Sequence, residues 1–138
     1  MIAVIHSKLS NVGSVMSALS RIGAKADVTD VPDNIRNSRA LILPGVGAFD
    51  EAMSYLKSSG LESEILNFAA TGKPILGICL GMQLLAETSS ENGFHQGLGL
   101  IAGRVERLKK EDTYRVPNIG WCDTELSENS VLFKDLGR

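Results

Sequence analysis

The chain has 138 residues, 43% hydrophobic, 22% charged and 5% aromatic, with a formal net charge of −2. That length suits one domain able to bury roughly two thirds of the surface its unfolded form exposes. The near-neutral charge leaves no electrostatic footprint for nucleic acid or an acidic membrane surface, and the scarcity of aromatics argues against a base-stacking platform.

Met1-Ile2-Ala3-Val4-Ile5 reads as a buried first strand; it lacks the basic flank of a signal peptide, and no apolar run approaches membrane-spanning length. Ser10 or Asn11 is placed to cap a helix whose Val12, Val15, Met16, Leu19 and Ile22 recur at helical spacing up to Gly23. Residues 25–29 form a second short strand, and Val31-Pro32-Asp33 turns away from it. Ala40-Leu41-Ile42-Leu43 is a third strand, closed by Pro44-Gly45-Val46-Gly47. Helical stretches follow over 49–57 and 61–70, the second presenting Leu61, Ile65, Leu66 and Phe68 or Ala69 to a core. Thr71-Gly72-Lys73-Pro74 starts a fourth strand, which runs into Cys79 and a helix over 82–86. Past Gly97 the texture changes to short strand-like pieces over 99–103, 105–108 and 115–121.

Strands alternating with helices predict an α/β fold: three layers, doubly wound, with a mostly parallel sheet of the flavodoxin type. Ligands bind such sheets at the carboxyl ends of the strands. Three loops leave those ends: residues 6–11, residues 44–47 and the turn at Cys79. No linker or repeat divides the chain, so 1–138 reads as a single domain. Cys79 and Cys122 form no CxxC pair and no metal-like spacing with histidine, and no cofactor is expected. The pattern suits a reducing, cytoplasmic compartment with one functional thiol.

Gly77-Ile78-Cys79-Leu80-Gly81 carries the chemistry. A nucleophile on a sharp strand-to-helix turn needs a small residue on each side, because side chains there collide with neighbouring backbone. The helix start favours a thiolate, and the Leu80 N–H would face a developing oxyanion. The bland alternative is a buried structural cysteine. Gly45 and Gly47 would let backbone N–H groups approach a substrate, although most such segments are only turns. Gln83, four residues past Cys79, is the polar group of its helix able to bind a polar substrate; a solvent-facing glutamine is the alternative. His6, at the end of the first strand on the active face, is a candidate base near Cys79, as a different thiol hydrolase on the same elbow would need, with a loop histidine capping the strand as the favoured alternative. His95 lies in the polar stretch 89–95, which reads as an exposed loop. Neither histidine is paired with a nearby carboxylate in a way that reads as an orienter.

Taken together these motifs resemble the class I (triad) glutamine amidotransferases, and within them the glutaminase subunits of histidine biosynthesis. The likeness covers essentially the whole chain. Besides the elbow, its carriers are Asn11-x-x-Ser14-Val15, Leu43-Pro44-Gly45-Val46-Gly47-Ala48-Phe49, Gly97-Leu98-Gly99-Leu100-Ile101 and Val116-Pro117-Asn118-Ile119-Gly120-Trp121. The resemblance implies that Cys79 attacks the side-chain amide of glutamine, with Leu80 and Gly47 as oxyanion donors. It further implies ammonia transfer to a barrel-shaped cyclase or synthase partner. By position, Asn11, Pro117, Asn118, Gly120 and Trp121 would lie at that interface.

Three features depart from the family pattern. His6-Ser7-Lys8-Leu9-Ser10-Asn11 stands where a glycine-rich loop is usual, and Asn118 where many members have histidine. Both suggest a divergent paralogue, one serving another aminated product such as a surface sugar. The family's general base and its orienting acid form a His-x-Glu pair, which does not occur in these 138 residues. The expectation is therefore a domain lacking its C-terminal part, with glutaminase activity impaired in this form.

Overall fold

The computed structural model describes residues 1–7, 10–109, 116–117, 119–123, 125 and 133. The chain divides into two compact units, Met1–Arg107 and Leu108–Arg138. In the second unit no described residue lies in a helix or strand, so the strand expected over 115–121 does not form at 116–117 or 119–121. Arg115 and Asn118 lie outside the described residues.

In the first unit, strands β1 (Ile2–Ile5), β2 (Ala26–Thr29), β3 (Ala40–Gly45) and β4 (Ile75–Cys79) form a fully parallel sheet in the order β2-β1-β3-β4. Helices α1 (Val12–Arg21) and α2 (Pro32–Asn37) and the pair α3 (Phe49–Ser58) and α4 (Leu61–Ala70) connect them. The strand order reverses at β1, as in a doubly wound sheet, and opens a crevice at the carboxyl ends of β1 and β3. Alternate strand residues feed opposite faces. Ala3, Ile5, Leu41 and Leu43 pack with Phe49, Leu56, Leu61 and Ile65 on one side. Val4 and Ile42 pack with Leu19 of α1 on the other. Phe49, Leu56, Leu61 and Ile65 are at most 2% exposed, and burial of each contributes about 1.5–3 kcal/mol. A local side-chain cap is worth about 1 kcal/mol. Packing therefore places α3 and α4, even though neither is capped by the side chain of its own N-cap residue.

Several boundaries differ from the sequence expectation. β3 runs on through Pro44 and Gly45, because both pair with β4. Helix α2 forms where a turn was expected: Pro32 sits in its first turn, where a missing N–H costs nothing, and Ile35 is fully buried. Leu66 points to solvent, since the buried stripe of α4 is Leu61, Ile65 and Phe68. The helix after Cys79, α5 (Leu80–Leu84), has five residues and not the span to Ala86. Ala86 instead opens β5 (Ala86–Ser89), which pairs antiparallel with β6 (His95–Gln96) and parallel with β7 (Ile101–Val105) in a second sheet. Thus β7 straddles the pieces expected over 99–103 and 105–108, and residues 106–109 join no strand.

Candidate active site

Cys79 ends β4 and α5 begins at the next residue, leaving no room for an ordinary loop. The backbone meets this demand with φ 56° and ψ −119° at Cys79. Among the described residues only Asn92 is another non-glycine with positive φ. A β-carbon in such a conformation costs about 1–3 kcal/mol, and the surrounding structure must enforce it. The enforcement is visible in the neighbours. A Cβ on Gly77 would come 2.5 Å from Met82 Cα and 2.6 Å from Met82 N. A Cβ on Gly81 would overlap the Leu43 carbonyl oxygen, and one on Gly45 would lie 2.8 Å from Gly81 N. The glycines let α5 and β3 close on both sides of the turn. The thiol is free and exposed, so the buried-cysteine alternative does not hold.

Gly45 is the register partner of Cys79 across the β3–β4 ladder. The three residues that follow it lead directly into α3, and Gly47 among them is exposed with φ 100°. Leu80 has a buried side chain and is the first residue of α5; at that position its N–H has no acceptor within the helix. The sheet therefore brings Cys79, Leu80, Gly45 and the Gly47 loop to one end.

Gln83 is half-buried and borders a cavity of about 460 Å³. Ser90, Glu91 and Asn92 of the β5–β6 turn line it as well, together with Val105 and Arg107. Cys79 is not among the lining residues. Glu91 had no signal in the sequence beyond a polar stretch, yet its carboxylate accepts the Phe49 N–H at 2.9 Å, forty-two residues away. Its own N–H donates to the buried Ser89 Oγ at 3.1 Å. A carboxylate at the first N–H of a ten-residue helix also complements the helix dipole.

His6 is exposed and its backbone N–H extends the β1–β2 ladder by donating to Thr29 O at 3.1 Å. His95 departs from the exposed loop expected of it: it lies in β6, half-buried, with Nε2 buried and without a hydrogen-bond partner among the described residues. Asn11 is exposed at the start of α1 and makes no side-chain cap. In the second unit Pro117, Gly120 and Trp121 are exposed. Among the described residues no group of three His, Cys, Asp or Glu side chains could hold a metal ion. No helix among them is long and apolar enough to cross a membrane.

A CobB/CobQ-like glutamine amidotransferase domain profile matches residues 2–123. The chain belongs to the glutamine amidotransferase family. The imidazole glycerol phosphate synthase subunit HisH of Wolinella succinogenes is 42% identical over 139 residues, which cover 99% of this chain and 68% of that protein. The same subunit from Sulfurimonas denitrificans is 48% identical over 139 residues, covering 99% and 67%. The chain thus spans about two thirds of the length of these two relatives. A crystal structure of a glutamine amidotransferase shares the fold, with TM-score 0.66 and 22% identity over 78% of this chain and 57% of that one.

Proposed function

We propose that this chain carries the glutaminase half-site of an imidazole glycerol phosphate synthase-type enzyme, in the cytoplasm. The Cys79 sulfur adds to the side-chain amide carbon of glutamine, and the oxyanion is met by the Leu80 and Gly47 N–H groups. The C–N bond breaks as the nitrogen takes a proton, releasing ammonia and leaving a thioester. Water then adds, the C–S bond breaks, and glutamate departs with the thiol restored. Gln83 holds the substrate. Acidic Glu91 and Glu106 and basic Arg107 around the neighbouring cavity offer partners for both charges that a zwitterionic amino acid presents. In this reading ammonia passes to a barrel-shaped synthase partner, forming a heterodimer, with Asn11, Pro117, Asn118, Gly120 and Trp121 as the interface residues.

The observation that carries the reading is Cys79 held at φ 56° between Gly77 and Gly81, opposite Gly45. The test combines the protein with a synthase-type partner, supplies L-glutamine, and measures glutamate release and labelling of Cys79 by a glutamine-mimicking diazoketone. Release that vanishes in Cys79→Ala, with labelling that glutamine blocks, is the expected result. No glutamine-protectable labelling with the partner present refutes it.

A second reading, glutamine binding without turnover, is favoured by one observation. Neither histidine opens a His-x-Glu pair, since Lys8 and Gly97 stand two residues on, and among the described residues no carboxylate bonds His95 Nε2. It predicts protected labelling but no glutamate release. Imidazole-forming and sugar-aminating versions of the first reading differ in the ammonia acceptor, and the partner that stimulates release tells them apart.

A further inference from the structure

We propose that Glu91 is a positioning residue for the oxyanion loop: from the β5–β6 turn its carboxylate caps α3 and so sets the direction of the Gly47 N–H. The inference rests on the reading of Gly47 as an oxyanion donor. Helix α3 begins two residues after Gly47, and its N-cap residue is Ala48, which has no side chain able to accept a hydrogen bond. The missing acceptor comes from Glu91 Oε2, 2.9 Å from Phe49 N.

The loop of residues 46–48 is thereby held at both ends. Its entry is fixed by the pairing of Gly45 with Cys79. Its exit is fixed by the fully buried Phe49 ring and by Glu91 on the Phe49 amide. Between these anchors the exposed Gly47, at φ 100°, is the soft point, because glycine moves between backbone wells at little cost. Glu91 is itself held, its N–H on Ser89 Oγ and the adjacent Ser90 N–H on Val105 O at 3.0 Å. Because Glu91 also lines the cavity beside Gln83, one carboxylate joins the cavity wall to the loop opposite the thiol.

The consequence separates binding from reaction. Losing the hydrogen bond to Phe49 lowers the rate at saturation, whereas losing only the negative charge alters the half-saturating concentration. The experiment measures labelling of Cys79 by the glutamine-mimicking diazoketone against concentration, in wild type, Glu91→Gln, Glu91→Asp and Glu91→Ala. Iodoacetamide, whose substitution develops no oxyanion, serves as the control electrophile. Glutamine keeps an oxygen acceptor at the same reach, so Glu91→Gln holds its maximal rate within about threefold of wild type while needing more reagent. Glu91→Asp, one methylene short of Phe49, and Glu91→Ala fall at least about tenfold in maximal rate (about 1.4 kcal/mol). All four keep the iodoacetamide rate. Should Glu91→Ala fail to fold, the comparison of Asp with Gln decides alone. Equal maximal rates across the series overturn the proposal, as does an equal loss in Gln and Asp. Wild-type labelling that glutamine does not block instead refutes the glutaminase reading, a separate and recognisable outcome.

Discussion

Replacing Cys79 by glycine and by alanine tests the strained elbow without reference to catalysis. The Cys79 side chain is exposed, so removing it forfeits little buried contact. At an ordinary position glycine is less stable than alanine by about 0.5–1 kcal/mol, because the unfolded chain gains freedom. At φ 56° and ψ −119° any Cβ carries about 1–3 kcal/mol of strain that glycine does not. The second effect exceeds the first. Cys79→Gly is therefore more stable than Cys79→Ala by about 1–2 kcal/mol after the entropic difference is subtracted, while Ala stays close to wild type. In a domain of this size that is roughly 3–8 °C in Tm. Urea titration with a common m-value, backed by thermal unfolding, reads the difference. Alanine equal to or more stable than glycine would show that the elbow stores no strain.

Glycine packing gives a second contrast. Gly81→Ala drives a Cβ into the Leu43 carbonyl oxygen and should cost about 3 kcal/mol or more. Gly99→Ala, at φ 63° with nothing within 4 Å of its Cβ, should cost only about 1 kcal/mol; urea midpoints rank the two, and the reverse order would contradict the geometry. Arg36 clamps Glu64 with Nη2–Oε1 and Nε–Oε2 contacts of 2.5 and 2.8 Å, which join α2 to α4 and raise the guanidinium pKa through the Glu64 hydrogen bond. A double-mutant cycle of Arg36→Ala and Glu64→Ala should be non-additive, with coupling that shrinks in molar salt; strict additivity would remove this pair as a cross-link. Gln83→Ala should weaken glutamine protection of Cys79 by about tenfold, the loss of one or two hydrogen bonds, and leave iodoacetamide labelling unchanged. Undiminished protection would separate Gln83 from the substrate.

The elbow was legible because its demand is local. A thiol between two glycines, after an apolar run and before a helix, states a backbone conformation that few other sequences need, and Cys79 adopts it. The sheet was legible for the same kind of reason, since Ala3, Val4 and Ile5 or Leu41, Ile42 and Leu43 are continuous apolar runs that only a strand covered on both faces can bury. Helix α2 was not legible, because six residues with Pro32 at the start and one buried apolar side chain resemble a turn. Nor was β5: Leu84-Leu85-Ala86 continues the apolar run of α5, and only the pairing with β6 and β7 makes Ala86 the start of a strand.

The sequence alone determined the fold class, the sharp strand-to-helix turn at Cys79 and the family, because each depends on residue types at short, fixed spacing along one chain. Tertiary structure alone decided what surrounds the Cys79 thiol. The pairing of Gly45 with Cys79 follows from the parallel register of β3 and β4. The capping of α3 by Glu91 follows from a turn forty-two residues away folding back on the helix start. Glu91 carries no local mark of this contact, and the Gly45 motif does not name its partner strand, since hydrogen bonds between distant segments are set by where whole elements pack and not by the residues beside them.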